Sequence, residues 1–264
     1  MIVDGKKIAH ELYRALAAEV KTLPKPPVLA AITCAPNFET QKYLELKKRK
    51  AADVGITLRV VELPESVTTS EAIACVEAVL PSVDGVVVQL PFPPQVDREA
   101  LLSVIPIMKD PDGFAYGRSP DACLPPVVGA IAAIVATHQI DLTEGKVVVM
   151  GAGRLVGAPA ATYLEQLGAT FTVLTEETID ATECLRDADV IISGIGKPHF
   201  ITVDKVKEGV IIFDAGTSED GGVMVGDVHP DVAAIARHYT PVPGGIGPIT
   251  VAALLGNLVS LIRQ

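Results

Sequence analysis

Apolar positions along this chain change their period several times, and each change predicts an element. Ile8, Leu12, Ala15, Leu16 and Val20 recur at helical spacing and predict an amphipathic N-terminal helix. Residues 28–34 form a continuous apolar run, the pattern of a strand buried on both faces. A charged helix over 39–54, a strand over 57–61, a helix over 71–80 and a strand over 85–89 follow. Pro91, Pro93 and Pro94 then stop the series, and 105–126 is irregular, dense in Pro, Gly and Asp. A helix over 127–138 opens a second series, with strands at 146–150, 170–174, 190–193 and 210–214 and a helix at 160–167. Apolar strands alternating with amphipathic helices predict parallel sheets covered on both faces, an α/β fold. We set a domain boundary near Pro125. Residues 1–125 form the first domain, joined by the last helix (249–264) packing back on it, and 126–248 form the second.

Composition narrows the function classes. The chain has 264 residues, 49% of them hydrophobic, enough for a substantial core. With 22 basic against 32 acidic residues the net charge is −10, which argues against a nucleic-acid partner but not against a small anion bound locally. Cys34, Cys75, Cys123 and Cys184 show neither CxxC nor zinc spacing, so no metal is expected, and they read as small buried thiols of a reducing compartment. Met1–Gly5 lacks a basic-then-apolar leader, and no apolar run approaches the ~18 residues of a membrane span. The expected setting is the cytoplasm, without a membrane partner.

Three segments carry candidate chemistry. Pro241–Thr250 packs three prolines and three glycines into ten residues, which predicts neither helix nor central strand but a rigid loop poor in side chains, able to approach a flat ligand closely. The strand at 146–150 runs into Gly151-Ala152-Gly153-Arg154-Leu155-Val156-Gly157, a GxGxxxG spacing followed by an apolar helix. Glycines at such a turn let backbone amides and a positive helix N-terminus approach a pyrophosphate. The next strand ends before Thr175-Glu176-Glu177, where an acidic residue suits ribose hydroxyls and repels a 2′-phosphate, a hint of NAD over NADP that Arg154 opposes. In the first domain Thr40, Tyr43 and Lys47 share one helix face, Tyr43 as a flat platform and Lys47 as a proton carrier, or else as part of a solvated basic face with Lys48, Arg49 and Lys50. Gln89 ends a strand where open sheets bind ligands, and Asp112 in K-D-P-D-G-F is either a site residue or an Asp-Gly turn former.

Together these segments resemble the bifunctional methylenetetrahydrofolate dehydrogenase/methenyltetrahydrofolate cyclohydrolase family, over nearly the whole chain. The resemblance is carried by I-V-D-G-K-K-I-A (2–9), T-Q-K-Y-L-E-L-K-K-R-K-A (40–51), V-V-V-Q-L-P-F-P (86–93), K-D-P-D-G-F (109–114), V-G-A-P (156–159), G-D-V (226–228) and the 241–250 loop. It implies two α/β domains with a folate cleft between them, the second a Rossmann-like dinucleotide-binding domain, and a homodimer. It implies that Tyr43 stacks on the folate ring system, Lys47 is the catalytic lysine, Gln89 tunes it and Asp112 binds the pterin edge. Thr40, Pro91, Pro243, Gly244, Gly245, Gly247 and Pro248 would line the folate, and Gly151, Ala152, Gly153, Arg154, Val156, Gly157, Thr175, Glu176, Glu177 and Thr217 the NADP or NAD.

Departures from the family pattern qualify this. Gly151-Ala152-Gly153 and Thr175-Glu176-Glu177 lack the serine and basic partners of a 2′-phosphate, which favours NAD. The segment after Phe114 is shorter than usual, with Leu124-Pro125-Pro126-Val127 in place of Pro-Cys-Thr-Pro. Ala115-Tyr116-Gly117 replaces a stretch with histidine, proline and asparagine, and Thr40 replaces serine. The competing readings are a dehydrogenase with a weak or absent cyclohydrolase step and a catalytically inactive nucleotide-sensing protein.

Overall fold

A computed structural model describes the chain apart from Asn37, Glu176, Ile179 and Asp180 and the side chains of Phe38, Glu39 and Ala181. It divides into two compact units, one of residues 11–126 and 251–264, the other of residues 1–10 and 127–250.

The first unit holds most of α1 (Gly5–Val20), then β1 (Val28–Cys34), α2 (Phe38–Asp53), β2 (Thr57–Leu63), α3 (Thr69–Val79), β3 (Gly85–Val88) and α4 (Arg98–Ser103). Its sheet runs β2-β1-β3, all parallel, with Val28 opposite Thr57 and Ile32 opposite Val88. Alternate residues of β1 feed separate cores: Leu29 and Ala31 pack with Leu44, Ala51, Leu254 and Leu258, while Ala30 and Ile32 pack with Ala72, Val76 and Leu101. Both faces are therefore covered, as the unbroken apolar run requires. Thr68 and Glu71 form a reciprocal capping box that fixes the start of α3. The buried stripe of α1 in this unit is Tyr13, Leu16, Ala17 and Val20, whereas Leu12 and Ala15 are exposed. That stripe is an i, i+3, i+4, i+7 set that keeps Leu16 and Val20 of the expected face and has Tyr13 and Ala17 where Leu12 and Ala15 were expected.

The second unit contains α5 (Pro126–His138, from Val127), β4 (Val147–Met150), α6 (Gly157–Leu167), β5 (Phe171–Leu174), α7 (Ala181–Asp187), β6 (Val190–Ser193), β7 (Ile211–Asp214), the antiparallel hairpin β8 (Ser218–Asp220) and β9 (Val223–Val225), and β10 (His238–Tyr239). The main sheet runs β10-β7-β6-β4-β5 with every pairing parallel. The chain leaves β4 toward β5 and then crosses back to β6 on the other side of β4, so the order switches between β4 and β6. Residues 1–10 join this unit because Ile2 bridges Tyr239 and Val3 N donates to Tyr239 O at 2.8 Å. The elements that periodicity did not announce, α4, α7, β8, β9 and β10, have between two and seven residues, too few to establish a period.

The last helix, α8, spans Ile246–Arg263. It begins inside the proline-glycine segment, correcting the expectation that all of 241–250 is loop. Gly247 and Pro248 fall in the first turn, where backbone N–H groups have no intrahelical acceptor, so proline removes nothing there. By length and mean hydropathy (1.6) α8 is also the one described helix able to cross a membrane, which a search for unbroken apolar runs overlooks because Asn257 and Ser260 interrupt it. Its Val251, Leu254, Leu255, Leu258 and Val259 are buried in the first unit's core.

Candidate active site

Lys47 sits on the third turn of α2, one turn beyond Tyr43. The helix separates its basic residues: Lys48 and Arg49 face solvent, whereas Lys47 is only 7% exposed. Its Nζ donates to Gln89 Oε1 at 2.8 Å and lies 5.0 Å from the Tyr43 ring centroid, within cation–π range. Gln89 follows β3 directly, and its backbone N–H continues the ladder to Ile32 O at 2.8 Å. Burial pushes the Lys47 ammonium below the usual lysine range, and the Asp112 carboxylate pulls it back up. Burial lifts the Asp112 carboxyl to about 6, with Lys47 acting to lower it and Asp110 to raise it further. Both groups are thereby brought toward neutral pH, the condition for proton transfer in either direction. Thr40 is buried on the same helix, and Pro91 is exposed after a cis Leu90–Pro91 bond.

The turn-forming residue of K-D-P-D-G-F is Asp110. Its carboxylate accepts from Gly113 N at 3.0 Å and Phe114 N at 2.7 Å, which leaves Asp112 to electrostatics with Lys47. Asn257 on α8 donates to Pro111 O at 2.9 Å and Leu124 O at 2.8 Å, tying the shortened segment to the Asp112 turn. Asp110 and Asn257 were missed from sequence. The aspartate had a signal, since two aspartates flank one proline, while the asparagine lies 146 residues from one of its partners.

In the second unit β4 is followed by Gly151, whose φ is +87° and whose N–H donates to Leu174 O at 2.7 Å. A Cβ on Gly157 would overlap the Gly151 carbonyl oxygen, so this glycine is required for the turn to close on α6. Gly153 has open space around its Cα, and Ala152, Gly153 and Arg154 are exposed. Val156 precedes α6 without a side-chain cap among the described residues. Within the first turn Ala158 N donates to Gly153 O at 3.0 Å and Pro159 has no N–H; a glycine turn leading into a helix N-terminus suits a pyrophosphate, and the residues present fit a dinucleotide. Thr175 N donates to Thr178 Oγ1 at 2.8 Å, Glu177 and Thr217 are exposed, and Glu176 lies outside the described residues. The 241–245 turn holds a cis Val242–Pro243 bond and closes with Gly245 N to Pro241 O at 2.7 Å. A Cβ on Gly5 would overlap Gly245 O, so the N-terminal I-V-D-G segment packs directly on this turn. Pro243 is exposed, and Gly244, Gly247 and Pro248 are half-buried.

The structure thus gathers Thr40, Tyr43, Lys47, Gln89 and Asp112 in one unit and the glycine loop, Thr217 and the 241–245 turn in the other. Known families place these two groups of residues in separate domains. Residues 3–112 match the catalytic domain of tetrahydrofolate dehydrogenase/cyclohydrolase, and residues 125–264 match its NAD(P)-binding domain. The bifunctional protein FolD 2 of Lactobacillus johnsonii is 36% identical over 275 residues, spanning 100% of this chain and 98% of that protein. The FolD crystal structure from Campylobacter jejuni superposes with a TM-score of 0.93 at 33% identity, covering 100% and 98% of the two chains. A Trypanosoma brucei FolD complexed with NADP and an inhibitor gives 0.92 at 31% identity, covering 100% and 97%. Two family domains along the whole length, on a matching fold, make this chain a member of the tetrahydrofolate dehydrogenase/cyclohydrolase (FolD) family.

Proposed function

We propose that this chain oxidises 5,10-methylenetetrahydrofolate to the 5,10-methenyl cation and hydrolyses that cation to 10-formyltetrahydrofolate, with Lys47 as the proton carrier. The observation that carries the reading is the buried Lys47 ammonium, bonded to Gln89, beside Tyr43 and coupled to Asp112. Tyr43 offers a ring face for the flat pterin, and Asp112, poised near neutral pH, pairs with its edge. Bound NAD(P)+ supplies the hydride acceptor. In the hydrolytic step water adds to the methenyl carbon and gives one proton to the unprotonated form of Lys47, whose share burial increases. The protonated lysine then returns that proton to the folate nitrogen that leaves; the C–N bond breaks, the carbinol C–O becomes the formyl C=O, and the hydroxyl proton is released to solvent. Gln89 Oε1 holds Nζ in place for both transfers.

Thr40 and Pro91, with Pro243, Gly244, Gly245, Gly247 and Pro248, are proposed to contact folate. Gly151–Arg154, Val156, Gly157, Thr175, Glu176, Glu177 and Thr217 are proposed to contact the dinucleotide. We read the cofactor as NAD at least as much as NADP. Gly153 and Thr175 offer no cationic partner for a 2′-phosphate and Glu177 would repel one; the exposed Arg154 acts in the opposite sense, and the T. brucei relative was captured with NADP. A homodimer belongs to the same proposal, supported by the exposed apolar side chains Val60 on the outer strand β2 and Leu12 on α1. A cytoplasmic setting is supported by four cysteines that are all free thiols.

The test is initial rates of nicotinamide reduction with 5,10-methylenetetrahydrofolate, NAD and NADP in parallel, for wild type and Lys47→Ala. Turnover with NAD that collapses in the variant supports both the lysine and the cofactor reading. A large preference for NADP sinks the cofactor reading alone. Dinucleotide binding without turnover would replace the enzyme with a binding protein.

A further inference from the structure

The G-D-V segment, residues 226–228, follows β9 in the second unit. Its aspartate, Asp227, is fully buried in the second unit. Asp227 Oδ2 accepts from Ser193 Oγ at 2.7 Å and from Ile195 N at 2.8 Å, and Oδ1 accepts from Lys197 N at 2.9 Å. All three donors lie at or just beyond the C-terminal end of β6. A second buried carboxylate, Asp214 at the end of β7, accepts from Gly216 N at 2.9 Å, Asp227 N at 3.1 Å and Val228 N at 3.0 Å. The two carboxylates interlock through glycines: a Cβ on Gly216 would overlap the Asp227 carboxylate, and one on Gly226 would overlap that of Asp214. One buried strap therefore ties down the segments leaving both β6 and β7.

The tied segment lies at the switch between β4 and β6, the place where open parallel sheets bind ligands. It also touches the glycine loop, since a Cβ on Gly194 would come within 2.6 Å of the Val156 side chain. The position of residues 194–197 thus sets how that segment meets 151–157 at the switch. A residue that only filled space here would need no directed bonds. Three bonds from one carboxylate to one short segment fix its coordinates.

We infer that Asp227, backed by Asp214, is a positioning residue for the dinucleotide, holding the segment after β6 against the glycine loop so that the switch is shaped before the cofactor arrives. This rests on the proposed use of NAD(P) by the second unit. The test is Asp227→Asn, which keeps the size but turns one acceptor oxygen into a donor aimed at an N–H or O–H group. Dehydrogenase kinetics are read beside the cyclohydrolase rate, which needs no dinucleotide, on the same preparation. The expected result is a rise of about tenfold in KM for the dinucleotide, with kcat at saturation within about threefold and the cyclohydrolase rate unchanged. Ser193→Ala, which removes one of the three bonds, is expected to raise KM by an intermediate factor. An unchanged KM in Asp227→Asn overturns the inference. If that variant loses both activities together, Ser193→Ala decides: a raised KM with intact cyclohydrolase supports the inference, and an unchanged KM overturns it. Wild-type cyclohydrolase activity without dinucleotide turnover would overturn the cofactor reading itself, a result visible before any variant is made.

Discussion

At the scale of single residues the site turns on which polar groups the fold withdraws from water. Lys47 and its basic neighbours on α2 have the same chemistry, and spacing alone leaves the solvated face as an alternative. Burial separates them, with Lys47 inside and Lys48 and Arg49 outside. The same burial sets the titration of the pair. Asp112 holds the Lys47 ammonium up against desolvation, so removing that negative charge lets the lysine fall further. Asp112→Asn is accordingly expected to move the Lys47 titration to lower pH in the ligand-free protein, measured by NMR at Nζ. An upward or absent shift would show that the two groups are not coupled. The Asp112 turn was legible as a motif, but the division of labour inside it was not, because only coordinates show that Asp110 takes the backbone bonds.

At the scale of elements, the glycine loop joining β4 to α6 was legible as a spacing, and its three glycines prove unequal. Gly157 packs against the Gly151 carbonyl, whereas Gly153 has open space. Gly157→Ala is expected to destabilise the ligand-free protein by about 1–3 kcal/mol through overpacking. Gly153→Ala should leave stability within about 0.5 kcal/mol. Thermal unfolding of both variants without cofactor decides the point, and equal losses would contradict the packing described. The buried strands β1, β3, β4, β6 and β7 were legible because parallel strands covered on both faces are apolar throughout. The start of α8 was misread because proline and glycine suggest a loop by composition, yet the first turn of a helix tolerates both.

For the whole molecule, the second unit stores a pH dependence in its buried strap. Burial raises the Asp214 carboxyl to about 7, with Asp227 adding to the rise and backbone bonds from Val228, Asp227 and Gly216 opposing it. The folded-state value stands above the ordinary 3.8, so the folded protein holds this proton more tightly than the unfolded chain. The resulting stability is fully present below the ordinary value and is lost as pH rises through about 7. Asp214→Asn should flatten the fall in melting temperature across that window, whatever it does to the absolute level. A parallel profile in wild type and variant would show that Asp214 does not titrate there. At the same scale, sedimentation should find a dimer, and Val60→Lys on the outer strand should weaken it. A wild-type monomer at micromolar concentration would remove the dimer from the proposal.

Period and punctuation are properties of neighbouring residues, which is why the sequence by itself determined the alternation of strands and helices, the parallel α/β class, the glycine turn after β4 and the family. Tertiary packing settled what depends on residues far apart in the chain. It selected Lys47 over its neighbours, rotated the buried face of α1 away from Leu12, and drew residues 1–10 to the edge of a sheet built by residues 147–239. It also interlocked Asp214 with Asp227 and joined Asn257 to the Asp112 turn. The physical reason is the same in each case. A side chain's charge, burial and bonding partners are set by which surfaces exclude water together, and a linear pattern does not specify which distant surfaces those are.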